Sequence, residues 1–187
     1  DFHTGDRVVS NGNHAEYVVV NQNLCTRIPD NTDIKEASFT VLGSIALHGL
    51  RLSETSLGSK VVVIGLGIIG QLVCRLAEAQ GSEVIGIDPD TKRTDLSANF
   101  YTSVEEANMT NVDSVIITAA TSSNEPIEVA TKIARNKAKI VVVGDIPLNI
   151  SRNDFYYKEL ELVVSKSYGP GRSVSYTHLT LPTTTPV

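Results

Sequence analysis

Gly65-Leu66-Gly67-Ile68-Ile69-Gly70 is the stretch on which the fold of this chain turns. As a bare G-x-G-x-x-G it is weak, because glycines also serve turns that bind nothing. Its surroundings make it informative. Lys60-Val61-Val62-Val63-Ile64 precedes it, a continuous apolar run of the kind buried on both faces of a parallel sheet, and Ile68 to Ala79 has helical character after it. In a strand, turn and helix each glycine has its own task. Gly65 allows the tight turn, Gly67 removes the side chain that would block a pyrophosphate, and Gly70 lets the helix pack closely on the strand. Backbone N–H groups at the helix start, with the positive end of its dipole, then face the phosphates. The candidate seat is therefore Gly65, Leu66, Gly67, Ile68, Ile69 and Gly70.

Working outward, Glu83-Val84-Ile85-Gly86-Ile87-Asp88 reads as a second strand ending in an acid, 18 residues after Gly70. The usual interval is about twenty. A carboxylate there accepts the hydroxyls of an adenosine ribose and repels a 2′-phosphate, which predicts NAD over NADP. Lys92 and Arg93 follow closely, and an Arg beside the acid is one way a 2′-phosphate is accommodated; the plainer reading is a solvated helix start, with Arg93 kept as a candidate contact. A fourth strand, Val112 to Thr118, runs into Ala119 and Ala120, and a fifth, Lys139 to Val143, runs into Gly144. Thr118, Ala119 and Gly144 thus fall at carboxyl ends of strands, where open parallel sheets bind ligands and small residues admit a nicotinamide riboside.

The remaining elements complete the pattern. Asn99 to Thr102 is a weak third strand, Pro126 to Arg135 a crossover helix and Leu160 to Val164 a sixth strand. Strands alternating with helices predict an α/β doubly wound parallel sheet of order 3-2-1-4-5-6. Before it, Arg7 to Ser10 and Glu16 to Val20 read as a hairpin about the Asn11-Gly12-Asn13 turn, Asn31 or Asp33 caps a short helix, and Ile45 to Leu52 is helical. Residues 173–187, rich in Thr and Pro, lack hydrophobic period; translated adapter sequence and a disordered linker both fit, and no function is assigned to them. The expected divisions are 1–40, 41–172 and 173–187.

The 187 residues carry 16 basic and 21 acidic side chains, a net charge of −5, which argues against nucleic acid or an anionic membrane as partner. No apolar run reaches the ~18 residues of a membrane span. The two cysteines match neither metal nor disulfide spacing, so a reducing cytoplasm is the expectation, and a first residue other than Met suggests an internal piece of something longer.

Gly5-Asp6-Arg7-Val8, His14-Ala15-Glu16-Tyr17-Val18, Ile28-Pro29-Asp30, Glu36-Ala37 and the Gly65 loop, taken in that order, resemble medium-chain, zinc-type alcohol dehydrogenases from the start to about Arg172. Within that family, Ser122 to Ile127, Lys158 to Leu162 and Ser167 to Arg172 are similar to the dehydrogenase half of bi-domain oxidoreductases, in which it is joined to a glucose-fructose oxidoreductase-like half and serves sugar or polysaccharide metabolism. The resemblance implies hydride transfer with NAD at an alcohol or carbonyl carbon of a small-molecule substrate. It implies that residues up to Thr40 belong to a GroES-like catalytic domain, and that subunits pair as a homodimer through the sixth-strand edge. Thr40 stands where the family keeps a zinc ligand, and a neutral Thr argues against a catalytic zinc. No metal ligand is assigned.

His48 is the one histidine that could face a cleft and shuttle protons, although a structural role is the commoner outcome; His14 suits a turn, and His3 and His178 lie near the ends. Catalytic residues are left unassigned. Two rivals remain: a dinucleotide-binding module without turnover, and a zinc-free quinone-reductase-like enzyme using NADPH, which Asp88 disfavours.

Overall fold

The computed structural model describes residues 2–97 and 99–169. Two short strands open the chain, β1 (Val8–Ser10) and β2 (Cys25–Arg27), followed by α1 (Ile34–Ala37) and α2 (Thr40–Leu52). Then come β3 (Lys60–Ile64), α3 (Ile68–Ala79), β4 (Glu83–Ile87), α4 (Thr91–Thr94), β5 (Phe100–Tyr101), α5 (Val104–Ala107), β6 (Val112–Ile117), α6 (Glu125–Ile133), β7 (Ala134–Val142), α7 (Arg152–Lys158) and β8 (Glu161–Val164). The last six strands form one parallel sheet in the order β5-β4-β3-β6-β7-β8, the expected 3-2-1-4-5-6.

The continuous apolar runs are explained by the two faces of this sheet. Alternate residues of a strand point to opposite sides. Val61 and Val63 pack with Ala46 and Leu50 of α2 and Val73 and Ala77 of α3, whereas Val62 and Ile64 pack with Ile127, Ala130 and Ile133 of α6. Both sides are closed by helices, so neither parity can be polar. At its amino end α1 is capped by Asp33, whose carboxylate accepts from the Lys35 amide at 2.6 Å.

Three expectations are corrected. β1 pairs antiparallel with Cys25–Arg27, Val8 opposite Arg27, and not with Glu16–Val20. The ladder is extended by Ile28 N–H to Arg7 C=O (2.9 Å) and Asn11 N–H to Leu24 C=O (3.1 Å), and Asp6 meets Arg27 at 2.7 Å. Tyr17 and Val19 remain 85% and 102% exposed, because β propensity builds no strand without an edge to join. The second correction is at α2, which begins at Thr40, five residues ahead of the expected start, with Gly43 tolerated in its first turns.

The third is at the junction of α6 and β7. Arg135 belongs to the strand, not the helix: Ala134 is already extended and pairs with Val112, and Lys137, at φ 61°, lies within the irregularity before Lys139 rejoins the register opposite Ser114. Lys158 Nζ from α7 ends the helix by donating to the carbonyls of Thr131 (2.6 Å), Lys132 (2.9 Å) and Ala134 (2.9 Å). A cation at that end also suits the helix dipole. Residues 170–187, which include Arg172 and the Thr- and Pro-rich tail, lie outside the described residues.

Candidate dinucleotide site

The turn after β3 is built as its glycines require. Gly65 has φ +99°, a conformation L side chains rarely adopt, and a Cβ there would stand 2.6 Å from the Ala119 nitrogen. A Cβ on Gly70 would fall on the Gly65 carbonyl oxygen, and one on Gly144 on the Ala119 carbonyl oxygen. The ends of β3, β6 and β7 are therefore drawn together around Gly65, Gly70, Thr118, Ala119 and Gly144. Gly67, the N-cap of α3, is the opposite case: a Cβ there would meet no atom within 4 Å. The crevice is open at the one glycine assigned to phosphate approach.

Two side chains hold this turn. Thr118 Oγ1 donates to the Gly65 carbonyl at 2.5 Å, and Gln71 Nε2 to the Leu66 carbonyl at 2.8 Å. The first intrahelical bond, Gln71 N–H to Gly67 C=O at 3.0 Å, leaves the N–H groups of Ile68, Ile69 and Gly70 ahead of it, oriented for an anion by the helix. Leu66 differs from the rest of the motif. Its side chain is wholly buried in the core, and its amide donates to Asp88 Oδ2 at 2.7 Å. It anchors the seat from below.

Asp88 is 3% exposed. Besides Leu66 it accepts from the Asp90 amide on Oδ1 at 2.9 Å and from Arg93 Nη1 on Oδ2 at 3.0 Å. Burial pushes its carboxyl upward, but the two backbone amides and the Arg93 guanidinium outweigh it and hold the group below the usual carboxylate value. Arg93 also approaches Asp90 at 3.5 Å. The start of α4 thus turns one guanidinium back onto the acid while leaving it about half exposed to solvent, at 48%. Lys92 has its amide, not its ammonium, engaged there.

His48 sits half-buried on α2 against Gly169, where a Cβ would come within 2.7 Å of the imidazole. Burial, with Arg51 nearby, lowers its pKa and keeps the ring neutral at pH 7. Thr40 Oγ1 donates to the Ala37 carbonyl at 2.7 Å. Among the described residues no three His, Cys, Asp or Glu side chains gather as metal ligands. Nor is any described helix long and apolar enough to cross a membrane.

Sequence reasoning missed the tasks of Gln71 and of the Thr118 hydroxyl. The signal for the first was a polar residue in the opening turn of an otherwise apolar helix.

An amide-lined helix start facing an open glycine, with a buried acid one strand away, defines a dinucleotide-binding domain of the Rossmann type. The chain belongs to the NAD-binding domain family of the D-isomer specific 2-hydroxyacid dehydrogenases, whose sequence model matches residues 40–155. It is 29% identical over 162 residues to 2-dehydro-3-deoxy-L-galactonate 5-dehydrogenase of Pseudoalteromonas atlantica, covering 76% of this chain and 46% of that protein. Over 101 residues it is 36% identical to D-guloside 3-dehydrogenase of Escherichia coli, 52% of this chain and 29% of that one. A zinc-binding dehydrogenase of Sinorhizobium meliloti bound to NADP superposes with a TM-score of 0.70 at 26% identity, covering 79% of this chain and 49% of that chain. Galactitol-1-phosphate dehydrogenase of Escherichia coli shares the fold, with a TM-score of 0.71 at 24% identity over 83% of this chain and 50% of that one. The chain spans less than half the length of the curated relatives. The family match and the resemblance to medium-chain dehydrogenases therefore diverge: the structural neighbours are zinc-type alcohol and polyol dehydrogenases and the curated relatives are sugar dehydrogenases, whereas the matched family is another one, over the NAD-binding region.

Proposed function

We propose that this chain is the NAD(H)-binding portion of a medium-chain, polyol- or sugar-dehydrogenase-like oxidoreductase. The observation that carries the reading is the open Gly67 crevice between the first amides of α3 and the Asp88 carboxylate. Gly65, Leu66, Gly67, Ile68, Ile69 and Gly70 form the pyrophosphate seat, Asp88 takes the ribose diol with Arg93 at its side, and Thr118, Ala119 and Gly144 border the nicotinamide. Bound NAD(H) supplies the hydride chemistry; the chain supplies binding and orientation. Relatives named for a guloside, a galactonate and a galactitol phosphate support a small carbohydrate substrate and leave its charge open.

Residues 1–40 read as part of a GroES-like catalytic domain and 41–172 as the nucleotide domain. Pairing into a homodimer through β8 is supported by its edge position and by Val164, 59% exposed. Light scattering after size exclusion tests that, and a monomer refutes it. Two unpaired cysteines, with the Cys74 thiol pushed up to about 12 by burial, suit a reducing cytoplasm.

Nicotinamide fluorescence titration tests the central reading. NADH binds more tightly than NADPH on this account; tighter NADPH overturns the role of Asp88, and no binding of either overturns the function. Turnover with alcohols and aldehydes separates an enzyme from a binding module.

A further inference from the structure

The loops that leave β6 and β7 run side by side from the carboxyl edge of the sheet and are joined in steps. Nearest the sheet, a Cβ on Gly144 would fall on the Ala119 carbonyl oxygen, so the two backbones touch there. Farther along, the Thr121 amide donates to the Asp145 carbonyl at 3.0 Å. Beyond that Asn124 takes over. Its Nδ2 donates to the Asn149 carbonyl at 3.0 Å, and its Oδ1 accepts from the Asn149 amide at 3.1 Å. Nδ2 also donates to Glu128 Oε1, at 2.9 Å. An ionised carboxylate only accepts and a backbone amide only donates, so these partners fix which way the Asn124 carboxamide faces.

This engagement is unusual for the residue's place. Asn124 is the N-cap of α6, where an asparagine ordinarily turns its oxygen onto the first amides of its own helix. Here it makes no such bond, and Ser123 Oγ accepts from the Glu125 amide at 3.1 Å instead. The Asn124 side chain is spent on the neighbouring loop, where it meets both backbone groups of one residue as a strand partner would. The near end of its own loop is tied down by Thr118 Oγ1 on the Gly65 carbonyl. Ties therefore run along the sheet edge from the glycine turn, past Thr118, Ala119 and Gly144, to Asn149. Residues 145–150 form no helix or strand; Ile146 packs against the core, whereas Leu148 and Ile150 are exposed. A segment with so little buried depends on its ties for its position.

We infer that Asn124 is a positioning residue for the nicotinamide end of the cofactor: it straps residues 145–150 in place as the wall beyond Gly144, without touching the dinucleotide itself. The inference rests on the dinucleotide reading above, in which Gly144 borders the nicotinamide while Gly67 and Asp88 serve the other half. Loss of the strap loosens one half of the site only.

The test compares NADH, followed by fluorescence, with ADP, followed by calorimetry, on the full chain. ADP fills the pyrophosphate seat and reaches the acid but carries no nicotinamide riboside. Asn124→Ala weakens NADH about fivefold, the net worth of one hydrogen bond, and leaves ADP within about twofold. Asn124→Ser, which keeps a good N-cap residue on α6 but is too short to span to Asn149, does the same. Asn149→Ala changes neither ligand, because the strap ends on backbone groups. NADH unchanged in both Asn124 variants, NADH and ADP weakened alike, or Asn149→Ala as damaging as Asn124→Ala overturns the inference. Such a result with NADH binding intact in the unaltered chain strikes the strap alone; failure of the unaltered chain to bind NADH strikes the dinucleotide reading itself.

Discussion

The parallel sheet and the hairpin ahead of it are both rich in valine, yet the same side chain means different things in each. Val61, Val62 and Val63 are wholly buried, gripped from both faces by helices, whereas Val19 stands clear of the protein. Burial, not residue type, turns an apolar run into a structural commitment. The contrast is open to direct attack.

The largest effect is in the core. Ile116→Ala, at a fully buried position, costs about 4 kcal/mol in chemical denaturation, while Val19→Ala stays within ~0.5 kcal/mol. A Val19 effect as large as that of Ile116 would show the hairpin to be packed like the sheet. Next come paired glycines. At Gly70 an added methyl collides with the Gly65 carbonyl, a backbone atom, so Gly70→Ala costs about 3 kcal/mol and about a hundredfold in NADH affinity. At Gly12 it meets the Val20 side chain at 3.0 Å, a half-buried neighbour that can give way, and Gly12→Ala changes thermal stability by less than ~0.5 kcal/mol.

Lys158→Met leaves three carbonyls at the end of α6 without their donor and costs about 2 kcal/mol, read by urea denaturation. A smaller loss would mean that water replaces the ammonium. Finally, Asp88→Asn weakens NADH about tenfold, ~1.4 kcal/mol, and narrows the margin over NADPH. The folded carboxyl titrates below its ordinary value, so the stability it gives is complete above pH 3.8 and lost as pH falls through that lower value. NADH affinity accordingly stays level from pH 7 to 5, and a decline in that window would contradict the amide and guanidinium bonds to Asp88.

Why some of this was legible in the sequence and some not follows from the same contrast. β3 and α3 match their expected limits, because a strand covered on both faces must be apolar throughout and the glycines punctuate it. The place of Asp88, directly after β4 and bonded to the loop amide of Leu66, follows from spacing, since the length of α3 and its return turn fix how far along the chain the second strand ends. The partner of β1 was not legible. Tyr17 to Val20 has the stronger β composition, but Cys25–Arg27 takes the ladder through backbone bonds that leave no mark on side-chain pattern. The end of α6 was misplaced for a related reason: Lys158, 24 residues beyond Ala134, completes the helix end, and nothing near Ile133 announces it. Arg93 folding back on Asp88 depends on side-chain reach within the turn after β4, and Thr118 tying down Gly65 on reach across neighbouring strands, neither of which order along the chain encodes.

The bond from the Leu66 amide to Asp88 joins the glycine turn after β3 and the acid that follows β4 into one piece before any nucleotide arrives. Little ordering is left to be done on association, so free and occupied forms of this segment superimpose, and capture proceeds in a single kinetic phase whose rate rises linearly with dinucleotide concentration.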